Sequence, residues 1–112
     1  MLLDEFRLTQ MPEGFDGSVR LCPSSAAEAR AALEAGGSGV TDKLNAALLT
    51  QVLGVSVKAD PTRPQLHPED QVVVAEYFGT RPKHGTTQLP EGAGFHFFLV
   101  SVGHPENWIV KA

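Results

Sequence analysis

The sequence predicts a single α/β domain, a small mixed sheet with helices packed on it. Two stretches, "QVVVAEYF" and "GFHFFLVSV", carry hydrophobic residues on successive positions, as strands buried on both faces in a sheet centre do. Two segments with helical caps, "PSSAAEARAALEAGG" and "TDKLNAALLTQVLG", lie between these strands and weaker strand signals near the N-terminus. The chain has 112 residues, the size of one domain able to bury a core. Residues 1–112 are therefore read as one unit.

Taken in order, "MLLDEF" is a short first strand and "MPEGFDGS" a turn-rich connection. "SVRLC" alternates Val19 and Leu21 against Ser18, Arg20 and Cys22, which is a strand pattern of period two. The first helix opens with a capping box, Ser25 and Glu28, and stops at Gly36. Its Ala29, Ala32 and Leu33 share a face narrow enough to lie close to a sheet. The second helix is capped by Thr41 or Asp42 and ends at Gly54, with Leu44, Ala47, Leu48 and Val52 as an apolar stripe widened by Leu49 and Leu53. Pro61, Pro64 and Pro68 exclude a helix beyond it, leaving a short extended piece at 55–58 and a loop. The resulting order is β-β-α-α-β-β, and "HPENWIVKA" at the end offers an edge strand or an oligomer contact through Trp108 and Ile109.

Composition narrows the function. A formal charge of −4 argues against non-specific binding to long nucleic acid, which depends on many phosphate contacts from Lys and Arg. A small anionic ligand needs only a local cluster and remains compatible. Cys22 is the sole cysteine, so no internal disulfide forms and a reducing compartment fits. No apolar run approaches the ~18 residues of a membrane span, and "MLLDEFRL" carries acidic residues where a secretory signal would be basic. Cytoplasmic residence is expected, without a membrane partner. Nucleotide-binding glycine motifs, metalloprotease motifs and nucleophile elbows are absent, and the four histidines do not fall at metal spacings.

Two segments can carry chemistry. "GTRPKHG", at 79–85, gathers Arg81, Lys83 and His84 in an otherwise acidic chain. Arginine offers a planar fork of donors to phosphate, lysine a mobile charge, and histidine a group that changes protonation near neutral pH. A solvated hairpin tip is the plainer account of the same residues. "EAGGSGVTDKLN" leads Gly39 and Thr41 into a helix start, where backbone N–H groups favour an anion. A glycine joint between two helices, with Asp42 as an ordinary cap, explains it equally. His96, between Phe95 and Phe97, reads as a partly buried strand residue sharing a side with Phe98 and Val100.

Together these segments resemble a known family. "SGVTDKLNAALLTQVLGV" is similar to a helix whose pattern runs approximately S-A-[VI]-G-H-E-x-T-A-x-L-L-S-x-L-L-G-V. "DQVVVAEYFGTRPKHG" is similar to a strand and loop of the form D-x-A-[LV]-V-F-x-L-x-x-R-x-P-E-G, and "AAEARAALEAG" to a first helix L-E-E-A-R-x-L-L-x-x-G. The resemblance spans about residues 19–100 in consistent order, and the family is that of the viral ring nucleases, type III anti-CRISPR enzymes with stand-alone or fused cellular relatives. It implies a homodimer with a ligand pocket at the two-fold axis. It also implies cleavage of cyclic tetra-adenylate, without metal or cofactor, to linear products ending in a 2′,3′-cyclic phosphate.

The resemblance assigns residues unevenly. The family arginine maps onto Arg81. The catalytic histidine of the family falls on Asp42 and its glutamate on His84, while its Asn-Ser pair corresponds to Asp4-Glu5 or is displaced. Either acid and base have exchanged places, with His84, Asp42 and Arg81 catalytic and Lys83, Gly39, Thr41 and Lys43 binding ligand, or cleavage is lost. In the second case the chain is a cyclic-nucleotide sponge or an anti-defence protein-binding module.

Overall fold

The computed structural model describes residues 1–7, 10, 11, 18–62, 64–66 and 71–103. The elements are β1 (Leu2–Leu3), β2 (Ser18–Pro23), α1 (Ala26–Gly36), α2 (Lys43–Leu53), β3 (Val72–Phe78) and β4 (Gly94–Gly103). They form a single α/β unit with one four-stranded mixed sheet, ordered β1-β3-β4-β2. β1 runs parallel to β3, and β4 is antiparallel to both β3 and β2. The two strands with continuous apolar runs are thus the central pair, as their patterning requires. The "HPENWIVKA" tail, and with it any edge strand or contact through Trp108, lies outside the described residues.

The sheet has two unlike faces. Val73, Ala75, Phe95, Phe97 and Leu99 join Leu2 and the helix residues Ala29, Ala32, Leu48, Leu49 and Leu53 in the main core. α1 lies over β1 and β3, with α2 beside it. On the other face Leu3, Val72, Val74, Val100 and Val19 meet Met11 and Leu66 in a smaller cluster. Two successive residues of β1 therefore belong to different cores, as a pleated strand dictates.

The helix ends follow their caps. Ser25 Oγ accepts from Glu28 N at 3.2 Å, and Gly37, with φ +81°, donates its N–H to the Leu33 carbonyl. Between the two candidate caps of α2, Asp42 takes the role: Oδ1 accepts from Asn45 N at 3.0 Å. The expected stripe on α2 needs correction. Ala46, Leu48, Leu49 and Leu53 are buried, whereas Leu44 and Ala47 are half-buried and Val52 is exposed. Apolar residues surround more than half of this helix, so periodicity left its orientation open and docking beside α1 chose the Ala46–Leu49–Leu53 side. The piece at 55–58 pairs with no strand; instead Thr50 Oγ1 accepts from Val57 N at 2.9 Å and ties it to the helix.

The joint between the helices has a structural duty. Leu2 N donates to the Gly37 carbonyl and Gly39 N to the Leu2 carbonyl, so residues 37–39 run alongside β1. A Cβ on Gly39 would stand 2.5 Å from Leu3 Cδ2 and 3.1 Å from Pro64 Cγ. Glycine is needed there for close packing.

Candidate functional site

Parallel strands β1 and β3 finish at the same end of the sheet, the end where ligands of open α/β folds commonly bind. Asp4 follows β1 directly, Gly79 to Arg81 follow β3, and α2 begins there too. The Asp4 carboxylate organises the junction. Oδ1 accepts from Thr41 N at 3.0 Å and Thr41 Oγ1 at 3.3 Å; Oδ2 accepts from Asp42 N at 3.3 Å and Asn45 Nδ2 at 3.0 Å. An internal anion thus fills much of the donor cluster at the helix entrance, consistent with the preference of such ends for negative charge.

Asn45 carries the connection to the cationic loop. Its Oδ1 accepts from Arg81 Nη1 at 3.2 Å. Asp4 can only accept and Arg81 can only donate, so the amide orientation follows from its two partners. The guanidinium carbon of Arg81 also lies 4.6 Å from the centroid of the Tyr77 ring, a cation–π arrangement. Tyr77 is held in turn by an edge-on contact with Phe95, centroids 5.4 Å apart, and by donating its hydroxyl to the Thr80 carbonyl. Among the described residues the other N–H donors of Arg81 have no partner, and the side chain is exposed.

The 79–93 connection is more than a hairpin tip. Arg81 fastens it to the first turn of α2, the Gln51 amide donates to the Thr87 carbonyl on a later turn, and Leu89 packs against the main core. Between these fastenings Thr86 N donates to the Lys83 carbonyl, with Gly85 at φ +82°. That makes Lys83 to Thr86 a turn of type II pattern, with His84 in the first central position. Lys83 and His84 are both exposed.

The sequence candidates therefore separate. Arg81, Asp42 and Thr41 converge on the Asn45–Asp4 pair. Lys43 is exposed at the first position of α2, and Gly39 is explained by packing against Leu3. Among the described residues no hydrogen bond or ion pair joins His84 to Asp42. His96 is exposed rather than partly buried, and stacks on Phe78 with ring centroids 4.3 Å apart. Among the described residues two cavities, about 360 and 330 Å³, are found: one between the end of α1 and residues 55–58, away from this junction, the other on the open sheet face with Asp4 in its wall. Neither is walled by Arg81, His84 or Asp42.

Reading the residues alone passed over Asn45 and Tyr77. Asn45 looked like one more polar position in a helix, although its place three residues after the cap aims it at the helix entrance. Tyr77 looked like one more strand aromatic, four residues before an arginine.

Comparison by fold finds a viral protein. B116 of Sulfolobus turreted icosahedral virus (STIV) superposes with a TM-score of 0.68 over 89% of this chain and 96% of that one, at 14% identity. At that identity the likeness is one of fold. No protein-family model matches the sequence, and no curated protein matches it.

Proposed function

We propose that this chain is a metal-independent ring nuclease that binds a cyclic oligoadenylate, in the first instance cyclic tetra-adenylate, and opens it to linear products with 2′,3′-cyclic phosphate ends, so countering type III CRISPR signalling. The supporting observation is the anchoring of Arg81 to the α2 entrance through Asn45, which leaves guanidinium donors exposed toward solvent. A fixed, pre-oriented cation is what a phosphate-transfer site requires. In the reaction a ribose 2′-hydroxyl gives up its proton to solvent water and its oxygen bonds to the adjacent phosphorus. The bond from phosphorus to the 5′-oxygen breaks, and that oxygen takes up a proton.

In this reading Arg81 holds the phosphate with Lys83 beside it, and His84, on the exposed turn, donates the proton to the leaving oxygen. Asp42 acts by keeping the first turn of α2, and hence Asn45, in place. A two-fold homodimer supplies the walls of the ligand pocket, since a cyclic ligand with rotational symmetry meets the same surface twice. The fold shared with a viral protein fits an origin in a virus or prophage.

A second reading follows from a different observation. The carboxylates of Asp42 and Asp4 are both engaged in holding the helix entrance, which favours a binder that sequesters the messenger without cutting it. Incubation with cyclic tetra-adenylate in EDTA, followed by chromatography and a binding titration, separates the two. Linear products establish the nuclease; tight binding without turnover establishes the sponge; absence of both removes the nucleotide assignment.

A further inference from the structure

Glu76 stands among aromatic rings on the open face of the sheet. The register sets it directly opposite His96 and sets Val74 opposite Phe98, so these four side chains share one face. Phe78, two residues further along β3, joins them, and its ring stacks on the His96 imidazole with centroids 4.3 Å apart and planes inclined by 24°. Gly94 lies opposite Phe78. A Cβ there would stand 3.1 Å from Phe78 Cζ, so the glycine gives this ring room to lean over β4. Phe78 is 38% exposed, and Glu76 and His96 are exposed as well.

The same face holds the groove of about 330 Å³, whose apolar wall includes Leu21, Val74 and Phe98. Its polar wall is three carboxylates, those of Asp4, Glu5 and Glu76, and they are not equivalent. Asp4 accepts from backbone, hydroxyl and amide donors at the α2 entrance, all neutral, which do not cancel its charge. Glu5 is paired with Arg7 at 2.7 Å. Glu76 has no hydrogen-bond or ion-pair partner among the described residues. Uncompensated negative charge thus lies beside exposed rings and an apolar wall in which Leu21 is 56% exposed. An anionic ligand would be repelled there, and a neutral one would leave Glu76 unmatched.

We propose that this face binds a partner protein through an arginine with an apolar neighbour in its sequence. The guanidinium pairs with Glu76 and lies against the Phe78–His96 rings, while the apolar neighbour covers Leu21 and Phe98. A guanidinium is planar, stacks on aromatic faces and meets a carboxylate through two parallel N–H donors. A lysine ammonium would match the charge but neither the stacking nor the fork. The site uses neither Arg81 nor a nucleotide, so it stands or falls apart from the ring-nuclease reading.

The test is a titration of the isotope-labelled full chain with acetyl-leucyl-arginine amide, followed by amide NMR shifts. Saturable shifts should appear at Leu21, 74–78 and 94–98, with affinity several-fold above that of acetyl-leucyl-lysine amide. The neutral citrulline analogue should not saturate. Glu76→Gln should weaken the arginine compound about tenfold or more. His96→Ala should abolish the preference for arginine over lysine, and both positions are exposed, so circular dichroism should stay unchanged. Absence of saturable shifts, equal binding of the citrulline analogue, or indifference to Glu76→Gln overturns the proposal. Adenosine that shifts the same residues at lower concentration than the arginine compound overturns it by assigning the rings to a nucleobase. Shifts of these residues that grow with protein concentration alone overturn it by assigning the face to a second copy.

Discussion

Asn45 donates to Asp4 through Nδ2 and accepts from Arg81 through Oδ1, at 3.0 and 3.2 Å. One amide thereby couples the end of the first strand, the start of the second helix and the long β3–β4 connection. Under the proposed function, Asn45→Ala should leave Arg81 resting on Tyr77 alone and weaken binding of the proposed cyclic oligoadenylate about two- to tenfold, the range of one net hydrogen bond. Arg81→Ala should weaken it further and flatten the salt dependence of what remains. Titrations at two ionic strengths check both.

Asp4 should matter most for stability among the residues of this junction. Asp4→Ala leaves four donors without their acceptor, and we expect a loss of about 2–4 kcal/mol for a half-buried, charge-assisted cluster. Asp4→Asn should cost less, because one oxygen still accepts. Urea denaturation of the two variants gives the comparison directly.

Asp42 and His84 should behave in opposite ways. Removing the α2 cap by Asp42→Ala should cost about 1 kcal/mol, and Asp42→Ser should restore most of it. His84 stands exposed on a turn, so His84→Ala should leave denaturation unchanged and, under the proposed function, lower turnover of cyclic tetra-adenylate about 10²-fold. Turnover that survives His84→Ala would remove the proton-donor role.

Gly79 sets the path of the chain as it leaves β3. Its φ is +95°, and a Cβ there would stand 2.8 Å from Ala93 Cα. Strain and contact act together, so Gly79→Ala should destabilise the protein by about 2 kcal/mol or more. Gly85 shares the positive φ, at +82°, but faces open space. Gly85→Ala should cost only about 1 kcal/mol, and thermal melts of the pair measure the steric contribution of Ala93.

The sequence by itself determined the element order, the cap at Ser25 and the central placement of β3 and β4, and it narrowed the cap of α2 to Thr41 or Asp42. Each of these depends on interactions a few residues apart or on burial of continuous apolar runs. It also singled out Arg81 as a cation with unusual surroundings. Tertiary structure decided which side of α2 faces the core, because a helix with apolar residues on most sides has no preferred orientation until a neighbour covers one. It also decided that Asp4 occupies the helix entrance and that Asn45 joins Arg81 to it. Those partners are 41 and 36 residues apart, and no local pattern links side chains that only the pairing of β1 with β3 brings to one end of the sheet.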